Sequence, residues 1–140
     1  MHNPPLQVAD YVGPVVGAVV FVLIMARVRE PARRHFNAIV VAGAAGAYLS
    51  GGGFGPWELL YAPAGLTAAY LGLRSYPMIG LAWLMHAGWD VLHHFYGNAI
   101  WPFMPTSSFG CMIFDAVIAL WFLAGAPALS SRGATAATSR

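Results

Sequence analysis

All seven basic residues are arginines, and they sit in three places only. Arg27, Arg29, Arg33 and Arg34 lie around the connection between the first and second of five apolar segments, Arg74 between the third and fourth, and Arg132 and Arg140 after the fifth. The segments run over about 11–28, 36–50, 57–73, 77–96 and 109–126. If each crosses a bilayer, the connections alternate between its two faces, and every arginine falls on the same face. The positive-inside rule makes that face cytoplasmic and puts the N-terminus outside. One missed span would scatter the arginines over both faces. The expected fold is therefore all-α, a polytopic membrane helical bundle of about five transmembrane helices. Residues 1–10 form an extracytoplasmic N-terminus, 11–126 the transmembrane domain, and 127–140 a cytoplasmic, disordered tail. The expected location is the inner (plasma) membrane, multi-pass, with the lipid bilayer as the first partner.

Composition agrees. The chain is 59% hydrophobic and 9% charged, against about a quarter charged in soluble domains, too little polar surface to face water. A formal charge of +2 does not indicate nucleic acid, because the few basic residues are accounted for by orientation. A single cysteine, Cys111, leaves no internal disulfide. No Lys or Arg precedes the first apolar run, so that run lacks the positive flank of a cleaved signal peptide and reads as a retained helix. Several segments are shorter than the ~20 residues of a comfortable span. The second, VAGAAGAYLSGGG-rich, either crosses or dips with the third as a hairpin; the parity of segments four and five is the same. Gly13 with Gly17, and Gly43 with Ala47, are small-xxx-small pairs suited to close packing within one bundle, with a homo-oligomer interface as the alternative. Trp57, Tyr96, Trp101 and Phe103 gather at the outer ends, where aromatic rings favour the headgroup level.

Nearly all the chemistry is in HAGWDVLHH, inside segment four. Ionisable groups at bilayer depth are costly and mark functional sites by default. At about 100° per residue, His86, Asp90 and His93 share an arc of about 60°, and His94 widens it to about 100°. Asp90 lies about 10 Å and His86 about 16 Å below the outer end of the segment. Asp115 enters segment five from the same side to about 9 Å, level with Asp90, with Cys111 one turn above it. Imidazole with carboxylate suits a divalent transition metal, zinc or iron, over calcium or magnesium. Ligands at i and i+3 or i+4 share a helix face. Asp90, His93 and Asp115 are read as metal ligands, and His86 and His94 as the catalytic candidates, one or the other a proton acceptor or a further ligand.

Blander readings stand beside these. The histidines and Asp90 could instead form a hydrogen-bonded network that only locks helices together. His2 and His35 read as surface residues and Cys111 as packing. Ser107 and Ser108 read as caps of segment five, Glu58 as a first-turn carboxylate, and Trp83, Trp89 and Trp121 as packing.

HAGWDVLHHFYGNAIWPFMPTSSFGC, followed by Asp115 and AVIALW, resembles a family of small bacterial integral membrane proteins of unknown function. The resemblance implies a polytopic membrane protein and carries no activity with it. Membrane desaturases and hydroxylases fit less well, since Asp90 stands where their histidine boxes need a second His. The alkaline-ceramidase-like hydrolases share the residue inventory but differ in helix count and histidine distribution. Three functions follow from the residues: a metal-dependent membrane enzyme acting on a lipid-like substrate, a proton or metal-ion carrier using the same His/Asp ladder, or an accessory subunit with a structural polar network. The cluster reaches from the outer face to the midplane and stops, a shape that suits a site better than a channel.

Overall fold

The computed structural model describes residues 4–129. Five α-helices follow in order: α1 Val8–Met25, α2 Ala32–Ala45, α3 Glu58–Gly72, α4 Tyr76–Tyr96 and α5 Ser107–Leu123. A short 3₁₀ turn, Gly55–Trp57, leads into α3, and no strand occurs among the described residues. His2 and the polar tail from residue 130 onward lie outside them.

Local chemistry sets the helix ends. Asp10 in the first turn of α1 accepts the Gln7 backbone N–H at 2.8 Å, placing a carboxylate where free N–H groups need one. Helix α2 starts four residues before its apolar run, because its first turn is the polar sequence Ala32–His35. It stops at Ala45, ahead of the glycine-rich stretch, and at 14 residues is only about 21 Å long. Ser75 and Pro77 start α4, where proline's missing N–H costs nothing.

Helix α4 is the centre of the bundle. It packs mainly against α5 and α3 and also touches α2; α1 lies on the far side of α5, and α2 packs on α3. The core between them is built from small residues, Ala38, Ala68, Ala69, Ala82 and Ala119, around Ile79, Ile118, Trp83 and Phe122. Two glycines permit the tightest crossings. A Cβ on Gly80 would lie 3.0 Å from the Ala119 carbonyl of α5, and one on Gly65 would lie 2.8 Å from Ala45 Cβ of α2. The small-residue pairs expected to do this do not. Gly13 and Gly43 meet nothing within 4 Å, and Gly17 meets only the Phe114 ring at 3.7 Å. Their spacing matches the motif, but the bundle turns other faces inward.

The arginines described gather at one end. Arg33 Nε donates to the Tyr76 hydroxyl at 2.7 Å, its Nη2 lies 3.0 Å from Glu30, and Arg34 Nε donates to the Leu73 carbonyl at 3.0 Å. These contacts tie the α1–α2 connection to the α3–α4 turn. At the opposite end the Asn98 N–H donates to the Gly52 carbonyl at 2.8 Å, joining the α2–α3 loop to the α4–α5 loop. Trp57, Tyr96, Trp101 and Phe103 are exposed there. Helix α1 is the one helix among the described residues long and apolar enough to cross a membrane by length and composition, and little of it is buried. Helix α4 has 21 residues, but the His/Asp run breaks its apolar character.

Candidate functional site

The histidine-rich face of α4 points inward, with His86, Asp90, His93 and His94 all buried. Because α5 runs antiparallel beside it, Asp115 reaches the same level. His86 Nδ1 lies 2.7 Å from Asp115 Oδ2 and 3.4 Å from Asp90 Oδ2. One ligand atom from each of His86, Asp90 and Asp115 falls within 4.8 Å of the others, a spacing that could hold a metal ion. The level placement of Asp90 and Asp115 read from the sequence is what brings these groups together.

Tyr48 completes the group from a third element, the turn after α2. Its hydroxyl lies 2.6 Å from Asp90 Oδ1 and 2.8 Å from Ser108 Oγ. A phenol has one proton, and a carboxylate can only accept it. Tyr48 therefore donates to Asp90, and the Ser108 hydroxyl donates to Tyr48 while accepting the Ile100 N–H at 3.2 Å. Ser107 Oγ accepts the Trp101 N–H at 3.0 Å. These serines hold the α4–α5 loop and the site and do not cap α5, whose N-cap residue is Thr106.

His93, read as a ligand beside Asp90 and Asp115, stands in a different group. Its Nδ1 lies 2.8 Å from the Trp89 carbonyl, an acceptor only, and its Nε2 lies 2.9 Å from Glu58 Oε1. Both ring nitrogens are engaged, so no lone pair is left over for an ion in this arrangement. Glu58 also accepts the Trp89 indole N–H at 3.0 Å and the Phe54 N–H at 3.3 Å. It begins α3 as expected but is buried and paired. Tyr48 bridges the two groups, its ring stacked on His93 with centroids 3.5 Å apart. Gly52 closes the second group, since a Cβ there would come within 2.6 Å of His93 Nε2. His94 packs against Phe109 and Phe95, with ring centroids 5.2 and 4.9 Å away. Cys111 is half-buried on the wall of a 380 Å³ cavity between α1 and α5, also lined by Asp10, Pro14, Thr106 and Phe114.

The two groups differ in charge balance. Glu58 and His93 pair one carboxylate with one imidazole. In the other group two buried carboxylates face a single imidazole, and Asp90 Oδ2 has no hydrogen-bond partner among the described residues. Adjacent buried carboxylates demand a proton or a cation.

Fold and site together define an all-helical bundle with a buried, charge-deficient His/Asp group at its central helix. The chain belongs to the family described as "Family of unknown function (DUF6010)", which matches residues 9–128. Searches of curated proteins and of solved structures gave no match.

Proposed function

We propose that this chain is a multi-pass membrane protein in which His86, Asp90 and Asp115 hold a divalent transition metal, zinc or iron, for a hydrolytic reaction on a lipid-like substrate. The observation that carries this reading is the unbalanced pair of buried carboxylates around one imidazole. A divalent cation supplies the missing positive charge, and one His with two carboxylates is a donor set such metals accept. Three protein ligands leave a position open, and a metal held that way supplies a bound water of near-neutral pKa. Tyr48 fixes the Asp90 carboxylate, and Ser108 fixes Tyr48. Outer partners of this kind orient ligands and tune affinity.

The surface supports the membrane reading. Val12, Val16, Ile39, Leu59, Leu60 and Leu120 are among many large apolar side chains about half or more exposed, a surface suited to lipid and costly in water. The arginine end and the aromatic end match the two faces that the positive-inside rule assigns.

One observation favours a second reading, a proton carrier: the row Ser108, Tyr48, Asp90, His86, Asp115, hydrogen-bonded at each step except the 3.4 Å contact between Asp90 and His86. Against it, buried apolar residues Ile79, Ala82 and Trp83 fill α4 on the arginine side of His86.

Elemental mass spectrometry on detergent-purified protein, carrying a tag without histidine, tests the proposal. About one zinc or iron per chain, lost in Asp90→Ala and Asp115→Ala, is the expected result. A folded parent that takes up no metal after reconstitution with either ion would leave the carrier reading in its place.

A further inference from the structure

The cavity between α1 and α5 lies apart from the His/Asp group and has a chemistry of its own. The small residues Ala9, Pro14 and Gly110 leave 380 Å³ open there, with Met104 and Phe114 adding apolar wall. Its character is graded with depth. Asp10 is in the first turn of α1 and Thr106 is the N-cap of α5, both at the aromatic end of the bundle. Pro14 stands one turn further along α1, and Phe114 eight residues, about 12 Å, along α5 from Thr106. The polar residues are at the outer end of the cavity, and the wall below them is apolar.

Asp10 is the charged residue of that wall. It is partly exposed. Its carboxylate accepts the Thr106 hydroxyl at 2.9 Å and the Gln7 N–H at 2.8 Å, which use two of about four acceptor positions. No basic side chain pairs with it among the described residues. A carboxylate held at the outer end of an apolar cavity favours a cation with an apolar chain attached. An anionic head would meet like charge there, and a neutral one would gain no ion pair.

We infer that this cavity binds a single-chain amphiphile with an ammonium head, the head on Asp10 and the chain along Pro14, Gly110 and Phe114. The site is separate from the proposed metal centre and needs no metal for its test.

The test uses the full chain in detergent and dodecylamine carrying a mid-chain diazirine. Adducts formed on illumination are mapped by peptide mass spectrometry. The expected result is saturable labelling of α1 and α5 around Pro14 and Phe114. Unlabelled dodecylamine should compete about 2- to 5-fold better than dodecanol, the effect of a partly exposed ion pair, and dodecanoate should compete worst. Asp10→Asn, which keeps the size and one acceptor oxygen, should erase the preference for the amine. Thr106→Val, which keeps the carboxylate, should retain it. The competitor series in the parent decides the matter even if a variant fails to fold. Equal competition by amine and alcohol, a preference that survives Asp10→Asn, or unsaturable labelling spread over the exposed face of α1 would each overturn the inference.

Discussion

At Tyr48 the two polar groups of this protein meet, its ring on His93 and its hydroxyl on Asp90. Tyr48→Phe keeps the stack and removes the donor, leaving Asp90 Oδ1 short of a bond in a buried setting. The expected loss is about 1–3 kcal/mol of stability, read by thermal unfolding, and about a 10- to 100-fold loss in metal affinity. Gly52→Ala should destabilise by about 1–3 kcal/mol, because the added methyl enters the Glu58–His93 pair and forces those two buried side chains apart. Gly88→Ala, which meets nothing within 4 Å, is the control and should leave unfolding unchanged or slightly later. At this scale the sequence was only partly legible. Asp90 and Asp115 could be brought together because helical rise puts residues at comparable depths on antiparallel neighbours, whereas His86, read a turn deeper as a proton acceptor, takes the ligand place that His93 was expected to fill. Tyr48 could not be placed, since a turn has no periodicity to orient a side chain, although a lone phenol within a Gly/Ala-rich stretch was a usable signal. Glu58 was read as a helix-start carboxylate, correct for its position and silent about the His93 that its loop brings to it.

Helix α4 was the most legible element because its polar residues recur at three- and four-residue spacing and its ends have clear start and stop residues. Helix α2 was the least legible. Its first turn is polar, so apolar patterning began too late, and its glycine-rich end looked continuous with the helix. The crossing of α4 and α5 positions the site, and it depends on Gly80. Gly80→Val pushes a branched side chain into Leu123 and the Ala119 carbonyl. It should separate the helices, costing about 1–3 kcal/mol and, if Asp115 moves from His86, the metal as well; unfolding and metal content measured together check both. At the other end, the connection before α2 carries a pH-sensitive tie. Burial alone would raise the Glu30 carboxyl, but hydrogen bonds from Tyr76 and Arg33 and the charges of Arg33 and Arg34 hold it below the ordinary 4.5. A carboxylate lowered in the folded state stabilises fully above its ordinary value and loses that contribution as pH falls through its folded value. Glu30 is 41% exposed, so the effect is small, under about 1 kcal/mol. Glu30→Gln should unfold slightly earlier than the parent at neutral pH, with the difference vanishing as pH falls through the lowered folded value of Glu30.

At the scale of the whole molecule, the distribution of arginine and aromatic residues made the two ends legible before any contact was known. The bundle keeps that division, with Arg33 and Arg34 at one end and Trp101 and Phe103 at the other. In a Cys111→Ala background, Phe103→Cys should react with a membrane-impermeant maleimide in intact cells, and Arg29→Cys only after lysis. Labelling of both from the same side would contradict the multi-pass arrangement. Helix count and polarity follow from patterning along the chain, whereas the choice of which small residues face each other depends on how helices rotate, which patterning does not fix.

In the proposed function, the group of two carboxylates around His86, and not the Glu58–His93 pair, is the metal centre. Calorimetric titration of zinc into the detergent-solubilised parent, His86→Gln and His93→Gln separates the two sites. The expected result is binding near one ion per chain in the parent, abolished by His86→Gln and largely retained by His93→Gln in a folded protein. Binding that survives His86→Gln and disappears with His93→Gln would contradict it.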